Sequence, residues 1–129
     1  MKIAISTYSF SRLISSGAMT QLDCISKAKE MGFDAIEFVE IIPHDGSAEE
    51  SYAARLGEEA RRQGMEVTNF TFGADFLTGS GGDTQAEIER VRKRIDLAVL
   101  LGASGVRHDA TVGFPEGTRG YRGFDDVLP

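Results

Sequence analysis

At 129 residues the chain is long enough for one domain with a sizeable core, and 41% hydrophobic with 26% charged residues excludes a disordered polymer. No run approaches the roughly 18 consecutive apolar residues of a membrane span, and the start MKIAISTYSF does not read as a signal peptide. Fourteen Lys and Arg against twenty Asp and Glu leave a net charge of −6, which argues against a nucleic-acid surface. The single cysteine, Cys24, supports neither an internal disulfide nor a CxxC metal site. These bounds predict a cytoplasmic protein with no membrane and no nucleic-acid partner.

The chain alternates short β-like runs with helical patterns. A first strand is expected over residues 2–7 (KIAIST), then a helix over about residues 20–31. Thr20 and Asp23 have capping-box spacing there, Leu22, Ile25, Ala28 and Met31 recur at helical spacing, and Gly32 supplies the stop. AIEFV at residues 35–39 predicts the second strand. The next helix is expected to open near Ser47, answered by Glu50, and to end at Gly64, with Ala53, Leu56, Gly57 and Ala60 as its inner face. EVTNFTF at 66–72 predicts the third strand. A flexible loop containing Gly79-Ser80-Gly81-Gly82 follows, then a helix over about 84–101 with Glu87 answering Thr84 and a stripe of Ile88, Val91, Ile95, Ala98 and Val99. GVRHD at 105–109 predicts the fourth strand. Beyond it, Asp125 or Asp126 has the character of a further N-cap.

Strands beginning near residues 3, 35, 66 and 105 repeat in steps of 32, 31 and 39. Each step holds one strand, one helix and two loops, the unit of a parallel sheet. A (β/α)8 barrel of roughly 250 residues divides into about 31 per unit. Residues 1–129 therefore read as a single unit, an α/β chain forming the parallel (β/α)4 half of a TIM (β/α)8 barrel. The rival is an open doubly wound sheet, but strands covered on both faces should be nearly all apolar. These carry Ser6, Thr7, Glu37, Thr68, Asn69, Thr71, Arg107, His108 and Asp109, and polar strand ends suit a barrel mouth.

The segments IAISTYSF, CISKAKEMGFDAIEFVE, ARLGEEARRQGMEVTNFTFG and ERVRKRIDLAVLLGASGVRHD span most of residues 1–109. In this order and spacing the chain resembles the N-terminal half of the sugar phosphate isomerase/epimerase family, the xylose-isomerase-like TIM barrels. The resemblance implies a metal-dependent enzyme. A divalent ion (Mn, Mg or Zn) at the mouth of the complete barrel polarises a ketose or aldose, and paired glutamates move a proton through an enediol-type intermediate. It also implies that the metal ligands and both glutamates come from later strands, so no catalytic residue and no metal ligand maps onto this chain. Taken alone, the chain is expected to be inactive and to bind no divalent ion tightly.

Tyr8, Ser9, Glu37, Phe72, Arg107 and His108 are the substrate-pocket candidates. Glu37 matches the family's second-strand glutamate; it either serves the pocket or forms a structural ion pair with Arg107. Tyr8 and Ser9 end the first strand, where substrate contacts are expected, although Tyr8 and Phe10 could equally cap the core. Phe70 and Phe72 share a face, which favours packing, with a sugar-lining role for Phe72 as the family's alternative. Alternation separates Arg107 and Asp109 from His108, so these three form no ready-made metal triad. Arg107 suits either a phosphate clamp or a salt bridge. Glu40 and His44 read as solvent-exposed.

Three other functions compete with the isomerase or epimerase: an inosose-dehydratase-like lyase of the same fold, a non-catalytic half-barrel binding or assembly module, and an abasic-DNA endonuclease barrel. Two histidines and a charge of −6 disfavour the last. For the complete barrel the expected small-molecule partner is a sugar or sugar phosphate. Half a barrel has two open strand edges. It is also expected to expose some of Ile3, Ile5, Ile36, Phe38, Val67 and Val106 on its inner face. Either a second copy, as a homo-oligomer, or a complementary C-terminal half is therefore expected to close it.

Overall fold

A computed structural model describes residues 1–113; the capping signal at Asp125 and Asp126 lies outside them. Strands β1 (Ala4–Ser6), β2 (Ala35–Val39), β3 (Glu66–Phe72) and β4 (Gly105–His108) form one sheet in the order β1-β2-β3-β4, every pair parallel. Between them run helices α1 (Ser11–Ser15), α2 (Gln21–Glu30), α3 (Glu49–Arg62) and α4 (Thr84–Leu101). The fold class is α/β, arranged as a (β/α)4 half-barrel. None of the helices is long and apolar enough to cross a membrane, among the described residues.

One apolar cluster joins Ile36 and Phe38 of β2 and Val67, Phe70 and Phe72 of β3 to buried residues of α2, α3 and α4. These helices therefore cover the same face of the sheet, whereas a doubly wound sheet carries helices on both. Register partners of parallel strands share a face. The opposite face thus holds Ser6 beside Glu37, Val39 beside Thr71, and Thr71 beside Arg107. This face is polar, which corrects the expectation of an exposed apolar inner layer. Ile36, Phe38 and Val67 are buried under the helices, Ile5 is half-buried against them, and only Ile3 and Val106 of the six are exposed.

Val67 changes face because of a bulge. Ile36 pairs with Val67 and Phe38 with Phe70, so a two-residue step on β2 meets a three-residue step on β3. The extra residue lets Val67 and Phe70 both face the helices, where strict alternation would group Val67 with Asn69 and Thr71. Thr68 Oγ1 donates to the Ile36 carbonyl at 3.4 Å within this irregular stretch.

The caps explain the helix boundaries. Thr20 and Asp23 form the expected capping box at α2. At α3 the expected Ser47 cap is absent: Ala48 is the N-cap and makes no side-chain bond, while Ser47 N donates to Asp45 Oδ1. At α4 the cap is Asp83, one residue before Thr84, and it accepts from Ala86 N. Glu87 is thereby released from capping Thr84 and turns inward, where it is buried. Gly102, at φ 69°, supplies the expected left-handed stop.

The predicted stripe of α4 is also corrected. Ile95 and Val99 are exposed, while Leu97 and Leu101 join Val91 and Ala98 in the core. Close approach of α3 sets this rotation: a Cβ on Gly57 would stand 2.6 Å from the Leu101 carbonyl oxygen and 2.7 Å from that of Leu100. Both neighbours are backbone and cannot swing away. Gly57→Ala is therefore expected to destabilise the fold by about 1–3 kcal/mol through overpacking. The readout is a lower urea midpoint with an unchanged slope; an unchanged midpoint would show that the two helices separate freely.

Candidate functional site

Four of the six pocket candidates meet on the polar face. A cavity of about 440 Å³ is lined by Ser6, Tyr8, Ser9, Glu37, Thr71 and Arg107, with Val39 at its side. Apart from Glu37, at the centre of β2, each comes from at or just beyond the C-terminal part of a strand. Where β1 ends, Thr7–Phe10 forms a 3-10 turn that buries Thr7 and Phe10 and leaves Tyr8 and Ser9 outward, as a period of three requires. Phe10 thus caps the core, and Tyr8, 71% exposed, does not. Thr7 Oγ1 accepts from Val39 N at 2.8 Å, replacing the strand partner that β1 no longer supplies.

Phe72 and His108 lie on the other face. They are register partners one position beyond the Thr71 and Arg107 pair, which turns both toward the helices. Phe72 is in the core, and the His108 ring stacks on it with centroids 5.7 Å apart and meets Phe76 edge-on at 5.9 Å.

Inside the cavity, Glu37 Oε1 accepts from Thr71 Oγ1 at 2.7 Å. No ion pair joins Glu37 to Arg107 among the described residues, and Arg107 is exposed. The arrangement offers a guanidinium donor, a carboxylate and hydroxyl acceptors, and the exposed ring of Tyr8. It can bind an anion that also bears hydroxyls. A divalent ion does not fit the described residues, which bring no three His, Cys, Asp or Glu side chains together. Burial pushes the Cys24 thiol up to about 12, so it offers no thiolate nucleophile.

Behind the cavity lies a polar network that local sequence patterns do not reveal. Glu40 is not simply solvated. It sits at φ 54°, its Oε1 accepts from Gly73 N at 3.0 Å, and its buried Oε2 lies 3.3 Å from Arg94 Nη2 without hydrogen-bond alignment. Arg94 Nη1 also donates to Glu49 Oε1 at 2.8 Å. Buried Gln21 donates to the Glu40 carbonyl at 2.9 Å and accepts from Ile42 N at 2.9 Å, fixing the backbone after β2. His44, though exposed, has Nδ1 3.0 Å from the hydroxyl of buried Tyr52.

Glu87 organises the loop after β3. Its Oε1 accepts from Asp75 N at 2.9 Å and Arg90 Nη2 at 2.7 Å, and its Oε2 from Ser80 Oγ at 2.8 Å and Arg90 Nε at 3.0 Å. The expected loop forms a tight turn over Gly79–Gly82 with Ser80 (φ 53°) and Gly81 (φ 72°) left-handed, and the Ser80 hydroxyl ties it to that carboxylate; a Cβ on Gly79 would lie 2.9 Å from Glu87 Cδ. The only signals in the sequence were the acid and arginine three residues apart, which resemble an ordinary solvated helix pair.

Arg90 first, then the Asp75 amide and the Ser80 hydroxyl, hold the Glu87 carboxyl down to about 2. A depressed acid stabilises the fold fully above its ordinary range near ~4.3, and that contribution disappears as pH falls through about 2. Urea midpoints should therefore decline on acidification below about pH 4.5, and Glu87→Gln should both lower the neutral midpoint and shrink that decline. An unaltered pH profile in the variant would refute the role. Compared with protein-family models and with curated proteins, the chain finds no match in either.

Proposed function

We propose that this chain is the N-terminal part of a metal-dependent sugar or sugar-phosphate isomerase or epimerase, and that its polar cavity binds the sugar. One observation carries the reading: Tyr8, Ser9, Glu37, Thr71 and Arg107 converge on one cavity at the strand ends, on the face without helices. That is where parallel barrels place substrate. Arg107 pairs with the phosphate or carboxylate, Glu37 and Ser9 accept from sugar hydroxyls, and the Tyr8 ring lies along the sugar's carbon face. Thr71 holds the Glu37 carboxylate in place.

The chain's own contribution in this reading is binding and orientation. No proton-transfer step is assigned to its residues, because the described residues gather no ligand set for the divalent ion that such an enzyme uses. The outer edges of β1 and β4 have no strand partner among the described residues. A second copy of the chain or a complementary C-terminal half completes the barrel by pairing there.

Calorimetric titration with glucose 6-phosphate is expected to show binding. Arg107→Ala should weaken it at least about tenfold, as loss of a charge-assisted contact requires. Arg107 is exposed on the short strand β4, so the variant should keep the parent's urea midpoint. Absence of binding by the parent chain, or equal affinity in the variant, would overturn the reading.

A further inference from the structure

A second cavity, of about 460 Å³, adjoins the first. Tyr8 and Val39 belong to the walls of both, and beyond them the second is lined by Ser11 and Ile14 of the α1 region and by Glu40 and Ile42 after β2. Its walls come from two adjacent strand-to-helix connections, so it is a cleft inside the fold and not part of an open sheet edge. Its size lies within the range of small-molecule sites, roughly 300–1,000 Å³.

The polar atoms of this wall are largely committed elsewhere. Thr7 Oγ1 accepts from Val39 N at 2.8 Å, and Ser15 Oγ donates to the Arg12 carbonyl at 3.2 Å. Glu40 Oε1 is taken by Gly73 N, and its Oε2 faces Arg94. What remains toward the cavity is mainly hydrocarbon, the Tyr8 ring and the side chains of Ile14, Val39 and Ile42, with the Ser11 hydroxyl and Glu40 Oε2, which has no hydrogen-bond partner, as its polar groups. Tyr8 at 71% and Ile42 at 46% exposure are large apolar groups left uncovered on either side of it. An occupant with hydrogen-bonding needs would find few partners, and an anion would meet the Glu40 carboxylate. An uncharged apolar group satisfies both conditions.

We propose that the sugar site continues past Tyr8 into an apolar subsite, and that the physiological ligand is a sugar or sugar phosphate carrying an uncharged aromatic or branched aliphatic substituent. This rests on the sugar-binding reading for the polar half of the ligand. The apolar half stands on the second cavity alone. Tyr8 then separates the two halves, its ring facing the sugar on one side and the substituent on the other.

Three probes test this: glucose 6-phosphate, 4-nitrophenyl 6-phospho-β-D-glucopyranoside, and phenol. The nitrophenyl compound should bind at least about tenfold more tightly than glucose 6-phosphate, as burial of a ring against aliphatic walls requires. Millimolar phenol should shift the amide resonances of Ile14 and Ile42. Ile42→Asp should abolish both effects; the side chain is exposed on a loop, and an unchanged urea midpoint establishes that the variant is folded. Equal affinity for the two sugars, or a gain retained in Ile42→Asp, would overturn the subsite. If phenol shifts Ile14 and Ile42 while neither sugar binds, the subsite stands and the sugar reading fails.

Discussion

A buried carboxylate holds the working end of this sheet together. Glu87 draws its donors from the loop after β3 and from Arg90 on its own helix, and Arg90 Nη2 reaches on to the Gly73 carbonyl at 2.6 Å. Gly73 N donates to Glu40, and Glu40 faces Arg94, which holds Glu49 at the start of α3. Charges taken out of water are tolerable only when such partners are complete. Here the backbone partners are Gly73 and Asp75, just after β3, and Glu40 itself directly follows β2, so satisfying the charges ties the ends of the two strands together. The cavity walls lie close to that network: Val39 is one position before Glu40 and Thr71 two before Gly73.

The two faces of the sheet follow opposite rules. Toward the helices, Ile36, Phe38, Phe70 and Phe72 pack as a conventional core. Away from them, the register pairs Ser6–Glu37 and Thr71–Arg107 are linked by the hydrogen bond from Thr71 Oγ1 to Glu37 Oε1. Barrel interiors are usually filled by bulky branched residues. Hydrogen-bonding groups in that position give little packing energy. The chain thus places its cohesion on one side of the sheet and its polar side chains on the other.

Much of this was readable in the sequence, for identifiable reasons. Strands β2 and β3 coincide with their apolar runs, and Thr20 with Asp23 and Gly102 mark helix ends because capping is local chemistry. Tyr8, Ser9, Glu37 and Arg107 were legible because alternation and strand-end position suffice to bring them together. That Val67 joins Phe70 against the helices was not legible, because a bulge breaks the period of two and nothing in EVTNFTF marks where. The rotation of α4 depends on the approach of Gly57, which belongs to a different helix. Glu40 was read as solvent-exposed and Glu87 as the partner of a capping Thr84 because their decisive partners, Arg94, Gly73 and Asp75, lie in other elements or loops. Long-range satisfaction of charge has no local signature.

The bulge in β3 reaches beyond the strand that contains it. Asn69, set by the irregular stretch, pairs with Gly105 across the ladder, and a Cβ on Gly105 would stand 2.8 Å from Asn69 Oδ1. A side chain at the start of β4 would therefore have to displace the Asn69 amide, the end of a side chain that can rotate, whereas at Gly57 the obstacle is backbone. The two close approaches differ in kind: the contact between α3 and α4 is fixed by main chain, and the one between β3 and β4 by a side chain that can yield.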